Sequence, residues 1–329
     1  MLRLIIGALI SPFFIFSLAA NEVDLKLSEA DALRSQDVTA FRESLSTLSE
    51  KSRTFSPAQV QYFNYLTAYD MSYSGKLFEA VPLYESVYQS ASDKSLTLRA
   101  KRSILNNYGL VRDFPNALQQ IPDIVPLLEF AEDKDKHPAI LTIALFYNQL
   151  EEFEQSLQYS ERVLSQQLSL RDACLAHNLR SESLHNLGRL ERDTLEKTIE
   201  VCEESKESIA LNLAKLWLAQ LMLREGGNES AALDSLLAIQ AEVESTHYPR
   251  LISEFHTTLA ESYTANKLFH NASESALKGA ELAKGMGYSK PIKTAYYILY
   301  QSAKSQGDST RALDAYIQYA EADKAYLDE

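Results

Sequence analysis

The residues most able to form a defined covalent bond are the two cysteines, Cys174 and Cys202. Each lies 14 residues from Gly188, whose position is typical of a turn between two helices. Positions equidistant from the turn of an antiparallel hairpin lie side by side, so we expect a Cys174–Cys202 disulfide if the chain reaches an oxidising compartment. Such a bond would stabilise the fold by roughly 3 kcal/mol. The alternative is two buried free thiols, since no CxxC motif or nearby histidine pair completes a metal site.

Motifs of common catalytic and nucleotide-binding sites do not occur in this sequence. It lacks HExxH, GxSxG, GxxxxGK[ST] and GxGxxG. Six histidines are scattered along the chain without a cysteine or carboxylate at ligand spacing: His137, His177, His185, His247, His256 and His270. The sequence therefore predicts a protein that is not an enzyme and that uses no metal ion or other cofactor.

The first 20 residues differ in composition from the rest of the chain. They contain one early cation, Arg3, an apolar run over residues 4–16, and small residues Ser17 and Ala19. This order is typical of a secretory signal peptide, with cleavage after Ala19 or one residue later. We therefore expect residues 1–19 to be a signal peptide. The alternative is an uncleaved anchor helix, which the shortness of the apolar run disfavours.

The overall charge excludes one class of partner. The chain of 329 residues has a net charge of −13, and 46% of its residues are apolar. A strongly acidic surface repels phosphate backbones, so we expect no nucleic-acid partner. The apolar content is sufficient for a large core, and only ten Gly and nine Pro argue against a loop-rich fold.

The elements that position any site form a repeat. GKLFEAVPLY (75–84) and GDSTRALDAY (307–316) both consist of Gly, four residues, Ala, three residues and Tyr. Apolar residues between such segments have helical spacing, so each unit is predicted to consist of a helix, a turn and a second helix. Equivalents of the central Ala recur about every 39 residues, and we place them at Ala40, Ala80, Ala117, Ser156, Asp193, Ala232, Ala272 and Ala312.

The pattern G-x-[large]-x-x-A-x-x-x-[YF] resembles the second half of a tetratricopeptide (TPR) repeat. The best copies are GKLFEAVPLYESV, RDFPNALQQIPDI and GDSTRALDAYIQY. The resemblance covers roughly residues 28–329 and is weakest at 174–204. It implies that residues 20–329 form an all-α, right-handed superhelical solenoid of about seven TPR-like helix pairs plus an N-terminal partial unit. Pro82, Pro122 and Pro126 fall where a second helix should run, and they imply kinks or late starts in the first two units.

The resemblance also implies a binding groove. In TPR proteins, inner-helix residues that face the concavity contact an extended peptide or a small ligand. The equivalent phase here gives as candidates Tyr65, Tyr69, Arg102, Asn106, Asn148, Asn178, Glu182, His185, Glu261, Gln301 and Lys304. Asn and Arg at such positions would bind peptide amides or carboxylates. The alternative is that these polar residues only cover a solvated inner face.

The last helix, expected from about residue 311 to 329, carries two apolar stripes. One consists of Leu313, Tyr316, Ile317, Ala320 and Leu327, and the other of Ala312, Ala315, Tyr319, Ala322 and Tyr326. A second helix of a repeat packs one stripe on its own partner and the other on the next unit. We expect the second stripe to bind a second copy, giving a homodimer, or to be covered by further chain.

The ending YAEADKAYLDE is similar to the end of the periplasmic TPR-like region of bacterial membrane signalling proteins. In those, a signal peptide and repeats precede a transmembrane helix and a cytoplasmic output, often a diguanylate cyclase domain with a GGDEF motif or a histidine kinase. The resemblance implies a periplasmic, non-catalytic sensory module, tethered to the inner membrane only through an N-terminal anchor or further chain. The alternative is a stand-alone envelope scaffold or adaptor protein.

Overall fold

The structure, a computed structural model, describes residues 12–286 and 289–328, with side chains from residue 22. These residues form α-helices and one 3-10 turn, and no strand occurs among them. The helices are α1 Pro12–Leu33, α2 Val38–Lys51, α3 Pro57–Tyr73, α4 Leu77–Ser90, α5 Lys94–Leu110, α6 Phe114–Leu118, α7 Ile121–Leu128, α8 Asp133–Gln149, α9 Phe153–Leu164, α10 Leu170–Asn186, α11 Arg192–Ser205, α12 Ser208–Glu225, α13 Glu229–Ser245, α14 Pro249–Ala265, α15 Phe269–Met286, α16 Ser289–Ser305 and α17 Ser309–Asp328.

Helices that follow one another in the chain pack together as hairpins. From α3 to α17 they form repeating pairs, preceded by α1 and α2, so the predicted all-α TPR-like solenoid is confirmed. The first helix of each pair lies in an inner layer and the second in an outer layer. Buried apolar side chains fill the space between the layers: Phe41, Tyr65 and Tyr84 belong to one cluster, and Leu236 and Phe255 to another.

The repeat is anchored at the fourth residue of each outer helix. This residue is buried in every unit: Phe41, Ala80, Ala117, Ser156, Leu195, Ala232, Ala272 and Ala312. Two predicted equivalents were wrong, because Ala40 is half-buried and Asp193 is exposed. Helix α11 begins at Arg192 and therefore places Leu195, not Asp193, at the fourth position. Small residues dominate here because helices approach most closely at this level.

Turns within the pairs share a left-handed residue after the inner helix. Gly75 (φ +84°), Gly188 (+69°) and Gly307 (+76°) adopt this conformation without strain, since glycine has no Cβ. In other units a side-chain-bearing residue has the same geometry, for example Lys267 at φ +61°. The backbone geometry of the repeat is therefore kept even where the sequence lacks glycine.

Two inner helices begin at a proline. Ser56 caps α3 by accepting a hydrogen bond from the Gln59 amide, and Pro57 occupies the first helical position. Pro249 has the same place in α14. The outer helix of the α5 unit is divided into α6 and α7, and Pro122 and Pro126 lie within the second piece. The interruption expected from Pro122 and Pro126 is therefore present, whereas α4 begins at Leu77 and continues past Pro82 to Ser90.

The solenoid curves until distant units touch. The Tyr73 hydroxyl donates a hydrogen bond to the Thr246 carbonyl over 2.7 Å, and the rings of Tyr73 and Tyr248 lie 5.0 Å apart. The Ser35 hydroxyl donates to the Glu207 carboxylate over 3.2 Å. We call these contacts the seam. They join the N-terminal helices to the middle of the chain and close the concave face laterally.

The structure places the two cysteines as a bonded pair. Cys174 on α10 and Cys202 on α11 are both fully buried, and their Cα atoms lie 4.8 Å apart. Gly188 lies in the turn between these helices, so the two cysteines face each other across the hairpin at equal distances from its turn. Oxidation of the native protein stays a prediction.

The alanine-rich stripe of α17 lies toward α16. Ala312 is buried, the ring of Tyr319 lies 5.4 Å from that of Tyr297 on α16, and Lys293 lies 4.7 Å above the ring of Tyr326. On the predicted oligomer or continuation face, Ala312 is thus buried and Ala315, Tyr319, Ala322 and Tyr326 are half-buried. The ring of Tyr326 also lies 4.4 Å from the Arg112 guanidinium of a distant unit. A second copy or further chain on this face stays a prediction. Its alanines allow closer helix approach than the bulkier stripe does. The exposed stripe contains Leu313 (60% exposed) and Leu327 (74%).

The N-terminal helix α1 runs through the expected cleavage site after Ala19. Residues 1–11, most of the expected signal peptide, lie outside the described residues. Among the residues that are described, no helix combines the length and hydropathy that a membrane span requires. The signal peptide thus stays a prediction.

Candidate functional site

The concave face contains three adjacent cavities of about 700, 270 and 190 Å³. Arg102 and Arg171 line both the first and the second cavity, and Glu182 and Trp217 line both the second and the third. We call this continuous space the channel. Its walls come from the inner helices of successive units, from α3 to α16, and from α1 at the first cavity. One ligand could therefore contact several repeats at once.

One end of the channel carries a group of arginines, which we call the cationic end: Arg34, Arg99, Arg102 and Arg171. Asp31 on α1 lies 2.8 Å from Arg34 Nε and 2.6 Å from Arg99 Nη2. Arg171 Nε lies 2.8 Å from the buried Glu207 carboxylate. Asp31 and Glu207 thus pair with three of the four arginines. The same cavity is also lined by aspartates at positions 24, 93, 133, 135 and 172, of which Asp135 and Asp172 are buried.

Arg102 has no carboxylate of its own. Among the described residues it makes no hydrogen bond or ion pair, and its side chain is half-buried between the first two cavities. Burial lowers the pKa of Arg102, Tyr65 opposes that effect, and the charges of Arg34 and Arg99 add to it. A guanidinium remains charged through such a shift, so Arg102 presents to the channel a positive charge that is not paired with a carboxylate.

Tyr65 lies directly beneath these arginines. Arg34 Nη1 donates a hydrogen bond to its hydroxyl over 3.3 Å, and the Arg99 guanidinium lies 4.4 Å above its ring. Burial raises the pKa of the phenol, but the charges of Arg99, Arg34 and Arg102 outweigh it and lower the pKa to about 7. The positive potential at this end is therefore strong enough to lower the pKa of a buried phenol.

The opposite end of the channel, which we call the acidic end, contains Glu182, Glu254 and Glu261. Asn148 Nδ2 donates to Glu182 over 3.1 Å, and Arg250 Nε donates to Glu254 over 3.1 Å. Glu261 makes no hydrogen bond or ion pair within the described residues, and burial raises the pKa of its carboxyl to about 7.

Two basic groups also line the acidic end. Burial, and then the charge of Arg224, lowers the pKa of His185 to about 4, so this imidazole is neutral at pH 7. Burial raises the pKa of Glu182, and the Lys290 ammonium is one of the charges that oppose this effect. For Glu261, burial is the cause of the raised pKa. No ion pair joins Lys290 to Glu261 among the described residues, although both line the third cavity.

Between the two ends the wall is apolar. Leucines at positions 141, 145, 175, 179 and 213 line the second cavity together with Trp217 and Tyr248. Trp217 is the only tryptophan of the chain. This apolar middle could bury aliphatic or aromatic groups of a ligand, while the two ends bind polar groups of opposite charge.

Comparison with solved structures identifies the fold. Over 94% of this chain and 99% of the other, the structure is similar to a Rap protein complexed with competence and sporulation factor, with a TM-score of 0.57 and 15% identity. It is also similar to a signal transduction ATPase with numerous domains (STAND) protein with a tetratricopeptide repeat sensor from Pyrococcus horikoshii, with a TM-score of 0.57 and 14% identity. That match covers 95% of this chain and 49% of the other.

This chain has a TPR-like helical repeat fold. No protein-family model and no curated protein sequence matches it. At such low identity, the likeness of the TPR-like chain to the two solved structures establishes architecture, whereas the chemistry of the channel must be read from its own residues.

Most of the residues predicted for a TPR groove lie where the structure places the channel. Those in its wall are Tyr69, Arg102, Asn178, Glu182, His185 and Glu261. Asn148 lines a separate, smaller cavity of about 60 Å³ and reaches the channel only through its hydrogen bond to Glu182. Asn178 uses its amide to bond the Ala210 carbonyl over 2.7 Å, so it links α10 to α12. Tyr65 is buried beneath the wall, and Asn106 is half-buried outside the three cavities.

Two predicted groove residues lie elsewhere in the TPR-like solenoid. Gln301 and Lys304 line none of these cavities, and Lys304 is exposed, with its ammonium 5.6 Å from the ring centroid of Tyr300. The channel meets α16 only at its first turns, around Lys290 and Thr294. Gln301 and Lys304 follow two to three turns later, near the loop to α17. The prediction therefore assigned to the groove a part of α16 that lies beyond the cavity.

Sequence reasoning missed most of the cationic end. Arg99 lies one helical turn before Arg102 on α5, and this spacing could have suggested a shared face. Arg34 and Arg171 could not be found in this way, because Arg34 lies in the turn after α1 and Arg171 on α10, and they come together only through the curvature of the TPR-like fold.

Proposed function

We propose that this chain is a non-catalytic binding module whose channel takes an extended segment of a peptide or protein. The observation that carries the proposal is the channel itself, which is continuous over several repeats and combines an apolar middle with charged ends. The two similar structures are a protein complexed with a factor and a protein with a TPR sensor. Binding at a concave TPR-like face is consistent with both.

We further propose that the module is the periplasmic sensory region of a membrane signalling protein of the diguanylate cyclase type. The predicted signal peptide, the acidic charge and the likeness of the C-terminal segment to such regions support this assignment. A bound ligand would change the pitch of the superhelix, and α17 would transmit the change. The exposed stripe of α17, which includes Leu313 and Leu327, is available for further chain or for a second copy in a homodimer.

Trp217 provides the test of channel binding, because it is the single tryptophan and lies in the channel wall. A pool of synthetic peptides should change its fluorescence. Leu145→Arg, which places a bulky cation in the apolar middle, should weaken binding at least tenfold. The matched control is Leu277→Arg on α15, an exposed leucine (54%) outside the channel. Equal binding by both variants would contradict the proposal.

Fractionation of native cells tests the cellular assignment. A membrane-bound species larger than 37.0 kDa would support a sensory region within a receptor. A soluble periplasmic species near the size of this chain would instead support the second candidate, an envelope adaptor. The exposed apolar stripe of α17 favours that candidate, since it offers a surface for a protein partner.

A further inference from the structure

Two charged side chains in the channel wall lack countercharges of their own. Arg102 borders the first and second cavities, and Glu261 borders the third. Neither makes a hydrogen bond or an ion pair with any other described residue. Their neighbours show that the fold can satisfy such groups, because Asp31 pairs with both Arg34 and Arg99. The two unpaired charges are therefore not a general property of this wall.

A half-buried charge without a partner is energetically unfavourable, since it has lost part of its hydration and gained no ion pair. A ligand group of opposite charge would recover that free energy on binding. Unsatisfied charged groups in a cavity are for this reason candidates for ligand contacts. Arg102 selects an anionic group, and carboxylates match its forked donors. Glu261 selects a cationic group such as an ammonium.

The positions of the two charges define an order along the ligand. The apolar second cavity separates them, with Leu145 and Trp217 in its wall. A matching ligand has an acidic group, then apolar groups, then a basic group. Lys290 lines the same cavity as Glu261, but no ion pair joins the two side chains among the described residues, so the carboxylate is open to a basic group of the ligand.

We infer that the channel binds a short peptide in one orientation, with a carboxylate on Arg102, apolar side chains in the middle and an ammonium or guanidinium on Glu261. The inference rests on the proposed function and adds the chemistry and direction of the ligand. The carboxylate could come from the C-terminus or from Asp or Glu. The cationic group could be the N-terminal amine, Lys or Arg.

Selection from a random synthetic hexapeptide pool with free ends tests this inference. Peptides retained by the wild-type chain and not by Leu145→Arg would be sequenced by mass spectrometry. We expect enrichment of an acidic group toward one end and a basic group toward the other. Channel-dependent retention without this charge pattern would overturn the inference and leave the proposed function intact. If Leu145→Arg retains the same peptides, or nothing is retained, both fail.

Double-mutant cycles on the best-retained peptide then assign each contact. Arg102→Gln should weaken binding at least tenfold, and neutralising the peptide's acidic group should have no further effect on this variant. Glu261→Gln should behave in the same way toward the basic group. The controls are Arg311→Gln and Glu281→Gln, both on exposed positions. Additive losses in either cycle would overturn that contact.

Blocked peptides distinguish the sources of the charges. If amidation of the C-terminus removes the sensitivity to Arg102→Gln, the terminal carboxylate is the ligand group. If only replacement of an internal Glu by Gln does so, the ligand group is a side chain. Acetylation of the N-terminus gives the same distinction at Glu261. If a peptide whose acidic and basic groups are both neutralised binds with unchanged affinity, the assigned orientation is contradicted.

Discussion

The two ends of the channel hold charge in a half-buried wall by different means. At the cationic end, Asp31 accepts from Arg34 and Arg99, and the field of the arginines lowers the pKa of Tyr65 to about 7. At the acidic end, Glu261 stands without a countercharge, and its pKa is raised to about 7. The first end uses a network of paired charges, whereas the second allows its carboxyl to become neutral.

This difference has a functional consequence. Arginines remain protonated throughout the physiological range, so the cationic end can bind an anion at any relevant pH. Glu261 gains its charge only as the pH rises through about 7, so its attraction for a cation is greatest above that value. A ligand with both groups would bind more tightly at pH 8 than at pH 6.

Removing the carboxylate of the network should have the largest effect on stability. Asp31→Asn leaves Arg34 and Arg99 buried without their shared anion, and we expect a loss of about 4 kcal/mol in the free energy of unfolding. Urea denaturation measures the change. Asp314→Asn on the exposed surface of α17 is the control and should change stability little. A loss below 1 kcal/mol would show that the Asp31 network stabilises the fold no more than a surface ion pair does.

The disulfide-linked hairpin between the two ends should show the next largest effect. The Cys174–Cys202 disulfide joins α10, which bears Glu182, to α11. Reduction should lower the free energy of unfolding by about 3 kcal/mol. Thiol titration of the denatured native protein should detect free thiols only after reductant. Cys174→Ala with Cys202→Ala gives a chain whose stability reductant does not change. Two reactive thiols before reduction would contradict the disulfide.

Neutralising the acidic end should stabilise the protein, in contrast to Asp31→Asn. The pKa of Glu261 is raised in the folded chain, so its contribution is fully present below the unfolded value near 4.5 and is lost as the pH rises through about 7. Glu261→Gln avoids that loss. We expect the free energy of unfolding of this variant to exceed that of the wild-type chain by about 2 kcal/mol at pH 8 and to differ little from it at pH 5. Destabilisation at pH 8 would indicate a hidden partner for this carboxylate.

The backbone offers a smaller contrast between the same two regions. Helix α3, which carries Tyr65, is followed by Gly75 at φ +84°, whereas α14, which carries Glu261, is followed by Lys267 at φ +61°. Lys267 is exposed, so its replacement removes no packing. Lys267→Gly should raise stability by about 1 kcal/mol by relieving left-handed strain. Gly188→Ala makes the opposite change in another unit and should lower the melting temperature.

The repeat was predictable because its signals are local. A small residue every 39 residues or so and turns between helical stretches suffice to place most outer helices. Other features were not predictable because the local signals were ambiguous. Asp193 fits the spacing, but the start of α11 places Leu195 in the core. Both stripes of α17 are apolar, and only packing shows that the alanine-rich one faces α16.

The cationic end could not be derived because its members are remote in sequence. Arg34, Arg102 and Arg171 converge through superhelical curvature, and each contributes to the site only in the presence of the others. The residue types predicted for the groove were largely those of the channel wall, including Arg102 and Glu261. Which of these residues lack an ion-pair partner depends on distances between side chains in the folded chain, and the periodicity of the sequence does not give those distances.

The seam changes how the chain should fold and respond to force. An open solenoid makes contacts only between neighbouring repeats and can unravel one unit at a time. Here the Tyr73–Thr246 hydrogen bond spans 173 residues of sequence and closes a large loop. Contacts of this range slow folding and couple the N-terminal helices to the middle of the array, so these helices should not fray independently. When the termini are pulled apart, the seam should rupture in one discrete extension step before any repeat inside the loop it closes, residues 74–245, yields.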